Sequence, residues 1–444
     1  MKKRLGKEPI FGLAKHLFRV LVFPSCNEPG LEVVRALLKS NKVEVWGGSS
    51  GEVTFDPSRQ LLKHHLKLPH LSESNFKSRF LSKLRRQRIN YVFPTVDALV
   101  AEFSRWREKG ITFITCNPAT ANLVYTKSRL YRKLQGVIPL PEVYQGRKVE
   151  LPAFAKPDKG AGARGSLLLT TLEDWMVARA KKMLISEFLP GAEYTVDAVN
   201  DLEGRLLFAN PRLRGKIGRS IALGTKTVPG LRWEKLMAKI ARNLVIEGPW
   251  FAQFKLDREG KPKLLEINCR IGGSSTLTRL AGVNIPLVTL FIFAGYPVSL
   301  PRRQMPLLVN RALENYCEVP AYRAVIWDLM DTLVRKDGQV DPESITYLYE
   351  LANRRISQFL VSREKNLPKL ISKFQLPDFF RETVTSSDKV KVIQQILKRY
   401  RLAEAECVVV NDSVIENLAL QKAFPRLRTL GPDALASLGR QKLA

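Results

Sequence analysis

The sequence predicts an α/β fold in which parallel sheets form two successive regions. Apolar strands alternate with helical segments in the first region: the strand Arg19–Pro24 precedes a helix at Glu28–Leu38, and the strand Tyr91–Pro94 precedes a helix near Asp97–Lys109. Such alternation is typical of a doubly wound parallel sheet. The pattern begins again beyond residue 300, where RAVIW at Arg323–Trp327 is a second buried strand. We therefore expect at least two α/β domains.

Length and composition indicate a soluble protein of several domains. The chain has 444 residues, which at about 150 residues per domain corresponds to roughly three folding units. Its five cysteines contain no C-x-x-C pair, so we expect reduced thiols in a cytoplasmic protein without a zinc site. The basic N-terminal segment lacks an uninterrupted apolar core, and the apolar run Ile285–Leu300 is too short to span a bilayer. We predict no signal peptide and no membrane span; a homodimer is compatible with the sequence.

The formal net charge of +30 is the unusual feature of the composition. Basic residues are densest in KSRFLSKLRRQR at Lys77–Arg88, where Phe80, Leu81 and Leu84 have helical spacing. The bases there are expected on the exposed face of an amphipathic helix. Such a charge favours polyanions, which could be RNA, DNA, an anionic membrane or a phosphorylated substrate. A generally cationic composition without a specific partner is the alternative.

A hairpin near residue 260 carries the first set of candidate ligands. The segment FAQFKLDREGKPKLLEINCRIGGSS reads as two strands joined by a tight turn. Glu266 and Asn268 are two residues apart and so share a face of the second strand, which Gln253 of the first strand can reach; Arg270 follows. Oxygen-bearing side chains of this kind suit magnesium. A polar hairpin face in water is the alternative.

A second segment combines a lysine with glycines. The strand Pro152–Lys156 ends in the lysine, and the glycines Gly160, Gly162 and Gly165 separate it from the next strand. Glycine amides can approach phosphate oxygens closely, and Lys156 could neutralise their charge. Ordinary turn chemistry also explains such glycines. The segment is not a Walker P-loop, since no Gly-Lys-Ser/Thr begins a helix there.

The run LLEINCRIGGSS following FAQFKLD resembles the metal-binding end of the ATP-grasp fold, in the type of the carbamoyl-phosphate synthetase large subunit. That family pairs a glutamine with a later Glu-x-Asn-x-Arg. The resemblance implies that Gln253, Glu266 and Asn268 hold Mg²⁺ or Mn²⁺ against the phosphates of ATP, with Arg270 facing the acyl-phosphate. Cys269 stands where the family usually has proline. This departure should alter the local turn more than the chemistry.

The same resemblance implies the rest of a nucleotide site. In MLISEFLPGAEYTVDAV, Glu187 and the backbone of Phe188 and Leu189 would hold adenine, and Glu193 would hold the ribose hydroxyls. Lys127, near a helix start after Asn117-Pro118, and Lys156 would touch the phosphates under the glycine segment. An ordinary hairpin with exposed acids, and a solvated lysine, are the alternatives. Four further basic residues could meet the phosphates or an anionic acceptor: Arg212, Arg214, Lys216 and Lys226.

The C-terminal region resembles the haloacid-dehalogenase (HAD) superfamily. After RAVIW, the run DLMDTL resembles the motif D-x-D-x-T-L, with Asp328 as the nucleophile. The other matching positions are Ser362, Lys389 (or Lys391), Asp412 and Glu416. Met330 replaces the second aspartate, which protonates the leaving group and activates water in such phosphatases. We therefore expect a magnesium pocket at Asp328 and Asp412 with weak or absent phosphatase turnover.

Together these features predict three domains. They are a Rossmann-like pre-ATP-grasp domain at 1–117, an ATP-grasp domain at 118–304, and a small capless HAD-like domain at 320–444. The predicted function is an ATP-dependent ligase that joins a small-molecule carboxylate to an amine through an acyl-phosphate. Its catalytic residues would be Arg270, Lys156 and, in the last domain, Asp328. The alternatives are a nucleic-acid-directed ATP-grasp ligase with an end-processing HAD domain, and a non-catalytic ATP-binding or regulatory protein.

Overall fold

The computed structural model describes residues 18–144, 149–160, 165–218, 221–300 and 306–441. The chain divides into two compact units, Met1–Ala312 and Leu313–Ala444. Each unit is described by itself below. The three domain boundaries inferred from the sequence remain predictions.

The first unit begins with a parallel five-stranded sheet of order β3-β2-β1-β4-β5. Its strands are β1 (Phe18–Phe23), β2 (Val43–Ser49), β3 (His64–Lys67), β4 (Tyr91–Pro94) and β5 (Thr112–Phe113). Its helices are α1 (Glu28–Leu37), α2 (Ser58–Leu61), α3 (Phe76–Arg86) and α4 (Asp97–Phe103). The predicted alternation of strands and helices is confirmed, including the amphipathic helix α3.

Helix α4 is shorter than predicted. It ends at Phe103, and Trp106, whose ring centroid lies 4.7 Å from that of Phe103, is buried in the aromatic core beyond the helix. The charges of α3 are partly neutralised: Lys77 and Arg85 both pair with Glu108.

The middle of the first unit contains the three helices α5 to α7 and a small antiparallel sheet of order β7-β6-β8. Its elements are α5 (Pro118–Val124), α6 (Lys127–Leu134), β6 (Ala153–Lys156), β7 (Leu167–Leu169), α7 (Leu172–Ala180) and β8 (Leu184–Glu187). Helix α5 starts where Asn117-Pro118 predicts, since the Asn117 side chain accepts a hydrogen bond from the Thr120 amide at 2.9 Å. Helix α6 begins at Lys127, as predicted.

A six-stranded antiparallel sheet of order β13-β12-β9-β10-β11-β14 completes the first unit. Its strands are β9 (Glu193–Asn200), β10 (Leu206–Gly218), β11 (Ile221–Thr227), β12 (Gly248–Leu256), β13 (Pro262–Asn268) and β14 (Leu308–Asn310). Its helices are α8 (Leu231–Asn243), α9 (Thr276–Leu280) and α10 (Ile285–Phe293). The predicted hairpin β12–β13 is confirmed, with Gly260 in its turn at φ +74°. The pairing of β10 with β11 was not predicted.

The second unit is built on a parallel sheet of order β18-β17-β16-β19-β20. Its strands are β16 (Ala324–Trp327), β17 (Ser357–Ser362), β18 (Phe380–Thr385), β19 (Cys407–Val410) and β20 (Arg428–Leu430), and a short parallel pair joins β15 (Glu318–Val319) to β21 (Arg440–Gln441). Its helices are α11 (Pro342–Asn353), α12 (Leu367–Lys373), α13 (Lys389–Arg399) and α14 (Val414–Ala423). The predicted strand at Arg323–Trp327 is the central strand β16.

Two expectations from the composition concern membrane-spanning helices and the state of the cysteines. Within the residues that the structure describes, no helix is both long and apolar enough to cross a bilayer. All five cysteines are free thiols, as expected.

Candidate functional site

The hairpin β12–β13 brings the three candidate metal ligands together. Gln253 lies directly opposite Glu266, and Phe251 lies opposite Asn268. Asn268 Nδ2 donates to Glu266 Oε1 at 3.2 Å. In the amide orientation that satisfies both of its ends, Gln253 donates to the same Glu266 oxygen at 3.3 Å and accepts from Arg214 Nη1 at 2.7 Å. One carboxylate is thus flanked by two side-chain amides.

This set fits a magnesium ion by composition. Among residues 18–144, 149–160, 165–218, 221–300 and 306–441, no three His, Cys, Asp or Glu side chains form a metal cluster. A metal at this hairpin therefore needs the amide oxygens of Gln253 and Asn268 as well as Glu266. Both amides present nitrogen to the carboxylate, and rotation about their terminal bonds would present oxygen instead, which is the donor that magnesium prefers.

Lys156 lies at the end of β6, buried beside this hairpin with 7% of its surface exposed. Its Nζ donates to Tyr131 Oη at 2.7 Å and to the Leu265 carbonyl at 2.9 Å. Burial lowers the pKa of Lys156 to about 8, and Lys127 acts in the same direction, whereas Glu266 opposes the shift. Lys156 is therefore a buried ammonium at neutral pH. The Leu265 carbonyl that it contacts belongs to the residue directly before the proposed metal ligand Glu266.

Lys127 is also buried, at the first position of α6. Its Nζ donates to the Gly160 carbonyl at 2.8 Å, and the neighbouring Ser128 amide and hydroxyl both donate to the Asp158 carboxylate at 2.7 Å. Gly160 has φ +114°, a conformation that favours glycine. These contacts fix the start of the glycine segment to α6. Gly165 ends it at φ +74°, and Gly162 lies outside the described residues.

A small cavity adjoins part of this set. It is lined by residues from α4, α5, α6, the glycine segment and β13, among them Asp97, Lys127, Gly160, Glu266 and Asn268. Lys127 at this cavity and Lys156, which contacts the Leu265 carbonyl beside Glu266, are two cationic side chains near one carboxylate. Cations beside a carboxylate-and-amide set can bind a polyanion together with its metal ion.

The predicted adenine and ribose residues lie at the end of β8 and the start of β9. Glu187 Oε1 accepts from the Glu142 amide and from Lys263 Nζ, both at 2.9 Å. Leu189 is buried, and Lys255 lies over the Phe188 ring at 5.6 Å. Glu193 pairs with Arg214 Nε at 3.1 Å.

Arg214 connects Glu193 to the proposed metal ligands. It contacts Glu193 and the Gln253 amide, and burial lowers its pKa, while the nearby Glu193 and Glu266 carboxylates oppose that shift. Sequence reasoning named Arg214 only among four basic candidates. The neighbouring candidate Arg212 is instead buried in an ion pair with Asp197, at 2.9 and 3.1 Å, which indicates a structural role.

Arg270 is held by Asp97, the first residue of helix α4. Its Nε and Nη2 donate to the two oxygens of Asp97 at 2.9 and 3.0 Å, and its guanidinium lies 5.3 Å from the Phe251 ring centroid. Sequence reasoning placed Asp97 at the start of a helix but gave it no role. A bidentate pair of this kind fixes the plane of the guanidinium.

Cys269, the departure from the family pattern, is buried next to Cys116. A hydrogen bond between the two thiols, together with burial, raises the pKa of Cys269. The side chain is therefore a neutral thiol that packs in the core. It contributes no charge to the site.

The second unit gathers another polar group at the carboxyl edge of its sheet. Lys389 Nζ contacts Asp328 Oδ2 at 2.9 Å and Glu416 Oε2 at 2.7 Å. Burial acts to raise the pKa of Glu416, but hydrogen bonds from Lys389 and Asn411 outweigh it and the pKa is lowered. Burial and the nearby Asp328 carboxylate raise the pKa of Asp412.

Two further positions of the predicted C-terminal motif can be located. Ser362 is buried at the end of β17, and Met330 packs against the apolar core. Asp331, next to Met330, is exposed and has φ +54°.

Parts of the chain are similar to known proteins. Residues 179–313 match a family model described as ATP-grasp in the biosynthetic pathway with Ter operon. Carnosine synthase 1 from Gallus gallus is 28% identical over 43% of this chain and 26% of its own length. The large chain of carbamoyl phosphate synthase from Pyrococcus furiosus is 28% identical over 36% of this chain and 17% of its own. The chain thus spans about a quarter or less of these relatives.

Solved structures resemble the fold over a longer range. The biotin carboxylase domain of 2-oxoglutarate carboxylase from Hydrogenobacter thermophilus, in complex with MgADP, ADP and bicarbonate, has a TM-score of 0.54 and 18% identity over 64% of this chain and 71% of its own. N5-carboxyaminoimidazole synthetase from Staphylococcus aureus, complexed with ADP, has a TM-score of 0.55 and 13% identity over 68% of this chain and 84% of its own. These likenesses concern the fold. Together with the family match, they show that the chain contains an ATP-grasp fold.

Proposed function

We propose that this protein is an ATP-dependent ligase that joins a small-molecule carboxylate to an amine through an acyl-phosphate. The observation that carries the proposal is the buried Lys156 ammonium beside Glu266, whose carboxylate is flanked by the amides of Gln253 and Asn268. The ATP-grasp fold and the names of its relatives, which include a carnosine synthase and a carbamoyl phosphate synthase, support it.

In this proposal the residues divide the chemistry between them. Gln253, Glu266 and Asn268 would hold Mg²⁺ or Mn²⁺, which when bound offsets charge on the ATP phosphates. Lys127 and Lys156 would bind phosphate oxygens. Charges placed in advance around a transferring phosphoryl group lower the barrier for its transfer.

The reaction would proceed in two transfers. A carboxylate oxygen attacks the γ-phosphorus, and the bond to the bridging oxygen breaks to release ADP. The amine then attacks the acyl carbon, loses a proton, and inorganic phosphate leaves. Arg270, oriented by Asp97, would bind the negative charge of the acyl-phosphate and of the tetrahedral species.

The nucleotide base would lie at the other end of the site. Glu187 and the backbone of Phe188 and Leu189 would hold adenine, and Glu193 the ribose hydroxyls. The contact of Glu193 with Arg214, and of Arg214 with Gln253, supports this order along one face of the sheet. The glycines at 160 and 165 would bring backbone amides near the phosphates.

For the second unit we propose a HAD-like domain with little or no phosphatase turnover. The Asp328, Lys389 and Glu416 contacts support an anion-binding or magnesium pocket, in which Asp328 and Asp412 would hold the metal. Met330 has no proton to donate to a leaving alcohol and cannot activate water. Asp331 is adjacent in sequence, but neighbouring side chains generally point in different directions, so it is not expected to replace the missing aspartate.

The test of the ligase proposal is ADP release from MgATP with pools of amino acids, sugar acids and RNA. Glu266→Ala removes the central carboxylate, and Glu259→Ala is the matched control, because Glu259 lies on the turn of the same hairpin, where its side chain forms an exposed ion pair with Lys261. We expect one pool to stimulate ADP release by the wild type and the control but not by Glu266→Ala. Release that is unaffected by Glu266→Ala would contradict the proposal, and stimulation by RNA alone would favour the nucleic-acid alternative.

A further inference from the structure

The hydroxyl of Tyr131 stands at a junction that neither the sequence motifs nor the proposed reaction uses. Tyr131 is 4% exposed and lies in the middle of α6. Its hydroxyl donates to the Leu265 carbonyl at 2.9 Å and accepts from Lys156 Nζ at 2.7 Å. Lys156 donates to the same carbonyl at 2.9 Å, so that three groups form a closed triangle.

This triangle joins the three elements that carry the proposed phosphate and metal residues. Helix α6 begins with Lys127, strand β6 ends with Lys156, and Leu265 directly precedes Glu266 on β13. A shift of any one element would break a hydrogen bond of a buried polar group, which is costly. The Tyr131 hydroxyl therefore fixes the spacing between the two lysines and the carboxylate.

The hydrogen bonds to Tyr131 and Leu265 also orient the Lys156 ammonium. An ammonium has three N–H bonds, and Tyr131 and Leu265 are the two hydrogen-bond acceptors that the described part of the chain offers it. One N–H bond is then left for a ligand. The Tyr131 ring lies 5.0 Å from the ammonium, which adds a favourable cation–π contact.

We propose that Tyr131 is a positioning residue that holds the Lys156 ammonium toward the transferring phosphoryl group. The inference rests on the proposed ligase function, since it assigns Lys156 to the phosphates. Tyr131 acts through Lys156 and contacts neither ATP nor the metal.

The effect on charge has a definite direction. The groups that face Lys156 are Glu266 and Asp158, which favour the charged form, and Lys127, which opposes it, in addition to Tyr131. A hydrogen bond accepted from the ammonium stabilises its charged form. Removal of the Tyr131 oxygen should therefore lower the pKa of Lys156 further, whereas loss of a merely structural contact would not.

The experiment compares Tyr131→Phe with Tyr322→Phe. The control is matched: Tyr322 is 1% exposed, and its hydroxyl also donates to a backbone carbonyl, that of Leu438 at 2.7 Å, and accepts from a basic side chain, Arg354, at 3.2 Å. It belongs to the second unit, whereas Lys156 belongs to the first. Both variants keep the aromatic ring and so keep the core contacts.

Three quantities are measured: binding of MgATP by calorimetry, kcat and KM for ADP release, and titration of Lys156 by NMR of selectively ¹³C-labelled lysine. For Tyr131→Phe we expect kcat to fall about tenfold, the KM for ATP to change less than about threefold, and the Lys156 titration to move to lower pH. Tyr322→Phe should leave all three unchanged. If Tyr131→Phe folds poorly, Tyr131→Gln, which restores an acceptor oxygen, should recover the Lys156 titration.

The outcomes separate this inference from the proposed function. Wild-type protein that does not bind MgATP would overturn the ligase proposal and the inference with it. MgATP binding and turnover that are normal in both wild type and Tyr131→Phe, with an unchanged Lys156 titration, would overturn the inference alone. An equal loss of kcat in Tyr322→Phe would also overturn it, since the effect would then reflect general destabilisation.

Discussion

The buried ammonium of Lys156 leads to a prediction in which activity and stability change in opposite directions with pH. Burial lowers its pKa from 10.5 to about 8. Because the charged form is the one that binds phosphate, kcat/KM for ATP should fall about tenfold per pH unit above about pH 8. This descending limb of the pH profile of kcat/KM reports the pKa of Lys156 in the free enzyme, in which no nucleotide phosphate stabilises the ammonium.

The same lowered pKa of Lys156 makes the free energy of unfolding rise with pH over part of this pH range. Between about pH 8 and pH 10.5 the unfolded chain binds a proton at this lysine and the folded chain does not, so the free energy of unfolding rises with pH. A difference of about 2.5 pKa units corresponds to about 3 kcal/mol at the upper end of the window. Below about pH 8 the folded and the unfolded chain both carry a proton on Lys156, and the folded chain bears the full free-energy cost of burying that charge.

Steady-state assays from about pH 6.5 to about pH 10 measure the first effect, and urea unfolding over the same range measures the second. Lys156→Arg is the control for activity, because a guanidinium stays charged and its profile should lack the limb near pH 8. Lys156→Met is the control for stability, because it removes the titrating group. A limb that persists unchanged in Lys156→Arg would refute the assignment to Lys156.

Three further changes test other parts of the structure. Asp97→Ala removes both hydrogen bonds to Arg270 and should lower kcat by about 10- to 100-fold, since hydrogen bonds to a charged group contribute about 1.5–3 kcal/mol, with little effect on the KM for ATP. Asp197→Asn leaves the buried charge of Arg212 uncompensated and should cost about 3–5 kcal/mol of unfolding free energy in urea. Met330→Asp restores a general acid and base, and should raise p-nitrophenyl phosphate turnover by at least about 100-fold.

Each of these changes has a result that would count against it. A normal kcat in Asp97→Ala would show that Arg270 does not need Asp97 to orient its guanidinium. The control for Asp197 is Asp201→Asn, which breaks an exposed pair with Arg205 and should cost at most about 1 kcal/mol; equal losses would contradict the burial argument. Turnover that stays absent in Met330→Asp would mean that the second unit lacks a working phosphoryl site for other reasons.

The sequence predicts those parts of the fold and the site that depend on short-range pattern. The hairpin β12–β13 follows from apolar strands around a glycine turn, and Gln253, Glu266 and Asn268 follow from alternation along its strands. The start of α5 follows from the Asn117-Pro118 signal. These features need no knowledge of the tertiary structure.

Long-range partners could not be predicted in this way. Asp97 lies 173 residues from Arg270, and Tyr131 lies 134 residues from Leu265, so no local spacing connects them. The strand β10 was missed because LRGKIG at its end is polar and glycine-containing, which weakens the alternation expected of a strand. Arg212 and Arg214 look equivalent in sequence, yet only the fold pairs one with buried Asp197 and the other with Glu193.

The central claim is that the protein activates a carboxylate as an acyl-phosphate. Hydroxylamine captures acyl-phosphates as hydroxamates without any need to know the natural amine. Wild-type protein would be incubated with MgATP, hydroxylamine and pools of carboxylic acids, and hydroxamates and ADP would be quantified by mass spectrometry. We predict one hydroxamate formed in equal amount to ADP, and neither product with Glu266→Ala. ADP release without any hydroxamate, from a pool that stimulates it, would contradict the claim.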